Sequence, residues 1–211
     1  LVDTAALAGR VLQVGHLERF NAAILALEGT LGTPRFVESH RLAPFKERGT
    51  DVNVVLDLMI HDIDLIQSLV GAPIASIDAV GASVFSAGLD IANARIRYAN
   101  GCVANTTASR VSMKMERKLR VFQDDAYISI DLQQKVLTIV RKPPADADVP
   151  KGQVLIEERT YDQGDALKFE IEAFLRSIRE GTPPVVTGED GLRALETATK
   201  ITQMVQDGAR Q

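Results

Sequence analysis

Near residue 72 the spacing of apolar residues changes from the period of a helix to the period of a strand, and it stays at two for almost ninety residues. Before the change, Val52 to Val70 carries helical periodicity and stops at Gly71, with Pro73 just beyond as a normal helix exit. After it, strands are expected at Ile91 to Ala99 and Cys102 to Val111, joined by Asn100-Gly101, the strongest short hairpin signal. Further strands fit Lys118 to Gln123, Tyr127 to Asp131, Val136 to Lys142 and Val154 to Tyr161, with Lys142 to Gly152 as a surface loop. The chain closes on helices at Ala166 to Glu180 and Asp190 to Val205, the second preceded by the capping pair Thr187 and Asp190. Such an order specifies an α+β fold, a large mostly antiparallel sheet with helices on one face.

The first forty residues read differently. Leu1 to Ala8 looks like the end of an amphipathic helix with no N-cap before it, so the chain is expected to start inside a longer protein. Arg10 to Gly15 reads as a short buried strand, Asn21 as the N-cap of a helix reaching Gly29 or Leu31, and Arg35 to Arg41 as a second strand, which together make a βαβ unit.

Composition narrows the function. A net charge of -4 and the lack of any basic stripe exclude a nucleic-acid partner, because phosphate backbones are held by clustered Lys and Arg. The most apolar stretch is broken by Asp57, His61, Asp62 and Asp64, so it is no membrane span. The one cysteine, Cys102, permits neither an intramolecular disulfide nor a thiolate zinc cluster, and a reducing cytoplasm is the expected location.

Chemistry concentrates on the helix of residues 54–70. On an ideal wheel Asp57, His61, Asp64 and Ser68 form one stripe on an otherwise apolar helix. A polar stripe on a buried helix faces a partner or a cavity. His61 one turn from Asp57 suits proton handling, with the carboxylate favouring the imidazolium. The alternative is that the two side chains merely satisfy each other where elements meet. A metal site is not expected, since no ligand spacing accompanies these residues. Asp62 points into an apolar sector and reads as a packing carboxylate with a backbone or Arg partner.

The runs Gly15-His16-Leu17-Glu18-Arg19-Phe20-Asn21, His40-Arg41 and Asp57-Leu58-Met59-Ile60-His61-Asp62, followed by a long β region with Ala108-Ser109-Arg110, resemble the Gfo/Idh/MocA oxidoreductases. Gly188 to Ala194 resembles the start of that family's terminal helix. The resemblance implies that residues 1–20 are the remnant of an N-terminal Rossmann domain and 21–211 a substrate-binding and dimerisation domain. It implies an NAD(P)-dependent oxidation of a sugar or sugar-nucleotide hydroxyl by hydride transfer, nearest to members acting on the 3-hydroxyl of a UDP-N-acetylhexosamine. His61 and Asp57 would be catalytic, and Arg19, His40, Arg41 and Asp64 would meet the substrate.

NAD or NADP would bind the intact protein. No Gly-x-Gly-x-x-Gly occurs here, so none is expected on this chain alone, and its cofactor-binding residues stay unassigned. A homodimer, or a dimer of dimers, is expected through the sheet: one hairpin strand shows Ala92, Ala94, Ile96 and Tyr98, and its neighbour either Cys102, Ala104, Thr106 and Ala108 or Val103, Asn105 and Thr107, small and threonine-rich faces suited to packing on a second sheet, although a solvated face has the same pattern. A non-catalytic dimerisation or sugar-binding module on the same fold is the competing reading.

Overall fold

The Asn100-Gly101 turn closes the hairpin as expected, with Gly101 at φ +87°, a backbone region that costs glycine nothing. It joins β3 (Ile91–Tyr98) to β4 (Val103–Ser109). The computed structural model describes residues 1–47, 49–143, 150, 152–161 and 164–208, so most of the expected Lys142 to Gly152 loop lies outside the described residues. The other strands are β1 (Phe36–Leu42), β2 (Ile74–Ala82), β5 (Glu116–Phe122), β6 (Ala126–Asp131), β7 (Val136–Arg141) and β8 (Leu155–Thr160). They form one eight-stranded sheet in the order β2-β3-β4-β1-β5-β6-β7-β8, antiparallel throughout except where β1 runs parallel to β4. Strand β2 has no counterpart among the expected strands, because a register shift between Ile74 and Ser76 interrupts its alternation.

Strands β1 and β3 to β7 alternate buried residues with more exposed ones, whereas β8, at the edge, is exposed along its length. Val37, Ala94, Ile96, Ala104, Ala108, Leu119, Val121, Ile128, Ile130 and Leu137 face one side and are closed to solvent. Helices α3 (Ile60–Val70) and α5 (Gly188–Gly208) pack on each other, with α5 also against β2, and α2 (Ala22–Leu25) packs on β6. Met59, Ile63, Ile66, Ala198 and Ile201 complete this core. Helix α4 (Ala166–Glu180) packs instead on a 3-10 turn at Leu17–Phe20.

Of the small faces considered, the alanine-rich one meets the helices, and the face of Val103, Asn105 and Thr107 is the one left open. Ala92 pairs with Ala108, Ala94 with Thr106 and Ile96 with Ala104 on the helix side, where short side chains let helices approach the sheet. The open face carries a polar row from Arg95 through Asn105, Glu38 and Arg120 to Ser129. Arg120 bonds Glu38 at 2.6 Å and Arg95 bonds Asn105 at 3.1 Å within it.

The N-terminal region also departs from expectation. After α1 (Val2–Leu7) the segment of residues 10–15 forms one isolated bridge, Gln13 with Thr187, and does not join the sheet. Both edges of β1 are already filled by β4 and β5, so no βαβ unit forms. The segment lies instead on the start of α5, so closely that a Cβ at Gly191 would sit 2.6 Å from Val14 Cγ2. Asn21 does cap α2, accepting from Ala23 N–H at 3.1 Å. That helix is only four residues long, because from Leu27 to Thr30 the bonds tighten to the i to i-3 type. The capping box is as expected: Thr187 N–H donates to Asp190, and Asp190 N–H to Thr187 Oγ1.

Candidate functional site

Alternation along β1 decides which of two neighbouring residues can reach the site. Arg41 points to the helix side and is 4% exposed; His40 points to the open face, between Glu116 at 3.4 Å and Glu38 at 3.8 Å. The structure thus separates His40 from the other candidates by the thickness of the sheet.

The second determinant is how the helix after residue 53 begins. Asn53 Oδ1 accepts from the amides of Val55 and Leu56, and residues Val55–Met59 then form a π-helical turn that passes into α3. A π turn is wider than an α turn, so the four-residue step from Asp57 to His61 does not stack the pair as on an ideal wheel. Asp57 is exposed and makes no hydrogen bond or ion pair with His61. Such turns inside helices recur at functional sites.

His61, at the start of α3, is half-buried. Its ring lies edge-on to His16, with centroids 5.9 Å apart and planes at 86°. The cluster around it is otherwise charge-paired. Arg41 donates from Nε and Nη2 to Asp62 Oδ1 at 2.9 and 2.7 Å and from Nη1 to Glu18 at 3.1 Å. Asp62 is thus the packing carboxylate with an Arg partner that the sequence suggested, and it is 2% exposed. Burial opposes the Arg41 charge, but Asp62 and Glu18 together hold the guanidinium above its ordinary value. Arg19 and Asp64, both expected at the substrate, are bound to each other by two hydrogen bonds, and Asp64 is 2% exposed.

His61 stands apart from this pairing. It makes no protein hydrogen bond among the described residues, and neither ring nitrogen is among the fully buried unpartnered atoms, so both remain reachable. Burial pushes its pKa down, Arg41 and His16 push it further, and Asp62 and Glu18 only partly oppose them. The expected carboxylate bias toward imidazolium is therefore reversed, and Asp57 is not among the groups that act on the ring. A neutral, reachable imidazole can accept a proton from a hydroxyl. Sequence reasoning had passed over two members of this cluster, His16 and Glu18. Both stood within the Gly15 to Asn21 run, but nothing in its spacing tells which side chains turn toward a helix forty residues on.

Among the described residues no group of His, Cys, Asp or Glu is gathered to hold a metal, and no helix is long and apolar enough to cross a membrane. A groove of about 600 Å³ lies elsewhere, between Gln67, Pro73 and Ile77 and the α5 residues Arg193 and Lys200, and does not include His61.

A sheet with helices on one face and a histidine held at the start of the covering helix define the class. Residues 25–210 match the family described as "Oxidoreductase family, C-terminal alpha/beta domain", and the chain belongs to this Gfo/Idh/MocA family. It is 38% identical over 199 residues to the UDP-N-acetylglucosamine 3-dehydrogenase of Acidithiobacillus ferrooxidans, covering 93% of this chain and 63% of that protein. A solved structure of an enzyme of that name from the same organism, GnnA, superposes with a TM-score of 0.90 at 37% identity, covering 98% of this chain and 66% of that one. The scyllo-inositol 2-dehydrogenase (NAD(+)) of Bacillus subtilis is 25% identical over 218 residues, 95% of this chain and 62% of that protein. The chain spans less than two thirds of the length of these curated relatives.

Proposed function

We propose that this chain is the substrate-binding part of a nicotinamide-dependent dehydrogenase that oxidises a secondary hydroxyl of a sugar nucleotide, the 3-hydroxyl of a UDP-N-acetylhexosamine. The observation that carries the reading is His61, whose ring nitrogens are unpaired and reachable while the neighbouring charges of Arg41, Asp62, Glu18, Arg19 and Asp64 are spent on one another. As the carbon becomes a carbonyl its hydroxyl must lose a proton, and His61 takes it. Arg41, Asp62 and Glu18 do not touch substrate; they fix the floor on which His61 stands. The identity to a protein named UDP-N-acetylglucosamine 3-dehydrogenase supports the substrate class, and the likeness to named dehydrogenases favours catalysis over a non-catalytic module.

In dehydrogenases of this kind the hydride goes to a bound nicotinamide dinucleotide. The residues present do not fit its diphosphate. A helix start that holds phosphate offers free amides, whereas at α4 the amides of Leu167 and Lys168 are taken by Asp165, and α5 opens on Glu189 and Asp190 inside a capping box. The contribution of this chain is therefore the proton and the alignment of the sugar. We also assign the open sheet face to contact with a second copy, and sedimentation should give a dimer at micromolar concentration.

The complete protein carrying this chain, given NAD or NADP, should reduce it with UDP-N-acetylglucosamine at least about tenfold faster than with myo-inositol or free N-acetylglucosamine. Reduction with inositol alone would replace the substrate assignment. No reduction with any of the three would sink the dehydrogenase reading.

A further inference from the structure

We propose that His16 is a positioning residue for His61: its buried, edge-on imidazole fixes the His61 ring and adds to the repulsion that an imidazolium there would meet. This rests on the reading of His61 as the proton acceptor.

His16 is 6% exposed, and its Nδ1 is fully buried without a hydrogen-bond partner. Leaving a buried polar atom unpaired costs about 1–3 kcal/mol, and such atoms in native structures call for a reason. Its placement is determined by the backbone, since His16 N–H donates to Val14 and the His16 carbonyl accepts from Arg19 N–H, opening the 3-10 turn that buries Phe20. The groups facing His61 are Arg41 from β1, His16 and Glu18 at the 3-10 turn, and Asp62 on its own helix. Both carboxylates are bonded to Arg41, which leaves His16 as the neighbour with an unused polar atom. Two imidazoles with centroids 5.9 Å apart beside a guanidinium cannot both carry charge without mutual repulsion. An imidazole placed there makes protonation of the His61 ring harder, in the same direction as its burial and the Arg41 charge.

The test uses the complete protein without cofactor or substrate, with histidine-selective NMR following the His61 ring across pH. His16→Gln and His16→Phe should each raise the His61 midpoint by about half a unit, roughly a threefold change in its protonated-to-neutral ratio at fixed pH. The acid limb of kcat/KM should move by the same amount, with KM for the sugar nucleotide little changed. The Phe variant keeps a buried ring but no charge, so a shift in the Gln variant alone would assign the effect to burial and overturn the proposal. An unmoved midpoint in both would overturn it outright. If neither variant folds, the wild-type His61 curve decides: a two-step titration supports coupling, and a single independent step contradicts it. Failure of the proton-acceptor reading shows differently, as intact turnover in His61→Ala while the coupling persists.

Discussion

Arg19 and Asp64 close a two-bond clamp, Nε to Oδ2 at 2.7 Å and Nη2 to Oδ1 at 2.9 Å, between the 3-10 turn and the middle of α3. The geometry makes them a structural pair, buried on the Asp64 side, that holds the segment carrying His16 against the helix carrying His61. Removing Arg19 leaves an uncompensated buried carboxylate, which typically costs about 3–5 kcal/mol. Arg19→Ala should therefore destabilise more than the double change Arg19→Met with Asp64→Leu, as read by urea unfolding. Additive losses would show that the pair is not coupled.

Asp57 is the candidate whose expected role the structure weakens most. It is exposed and absent from the groups acting on His61. Asp57→Asn should leave the His61 titration in place and change stability by no more than about 0.5 kcal/mol. A fall in the His61 midpoint would restore the sequence-based pairing.

The depressed pKa of His61 makes folding stability depend on pH. Since the folded value lies below the unfolded one of about 6.5, the unfolded chain takes up its proton first as pH falls. Stability from this group is complete above about pH 7 and declines as the pH drops through and below about 6.5, levelling only once the folded form is protonated too. Denaturation curves from pH 8 to 5 should show that decline, and His61→Gln should flatten it relative to wild type. Parallel curves for the two proteins would contradict the assignment.

Asp90 anchors the loop between β2 and β3. Its carboxylate is closed to solvent and accepts the amides of Val84, Phe85 and Ser86 and the Ser86 hydroxyl. Burial alone would raise its pKa, but these four bonds outweigh it and hold the carboxyl well below the usual range. Asp90→Ala strands three amides and should cost at least about 3 kcal/mol, with the first amide exchange gains at residues 84–86. Exchange that rises only elsewhere would show that the loop does not depend on this carboxylate.

The sheet, the closing helices and the Asn100-Gly101 hairpin were legible because each rests on local chemistry: alternation, a capping box, a turn needing positive φ. What was not legible depends on contacts across the chain. The side of β1 that meets the helices determines whether His40 or Arg41 joins the site, and alternation alone fixes only that they differ. The π turn at Val55–Met59 shifted Asp57 out of a stripe drawn on an ideal α wheel. The small residues of β3 and β4 gave no sign of whether a helix or another sheet would cover them. Asp62, by contrast, was readable, because a carboxylate in an apolar sector has few ways to be satisfied.

Whether His61 takes the hydroxyl proton is decided by steady-state kinetics of His61→Ala in the complete protein. General-base assistance is typically worth about 10²–10⁴ in rate, and help given only as the proton leaves appears in kcat rather than in binding. The variant should show a fall in kcat of that size with UDP-N-acetylglucosamine, KM within about threefold of wild type, and an unchanged fold by circular dichroism. Unimpaired kcat in a markedly less stable protein would contradict it and make His61 a packing residue.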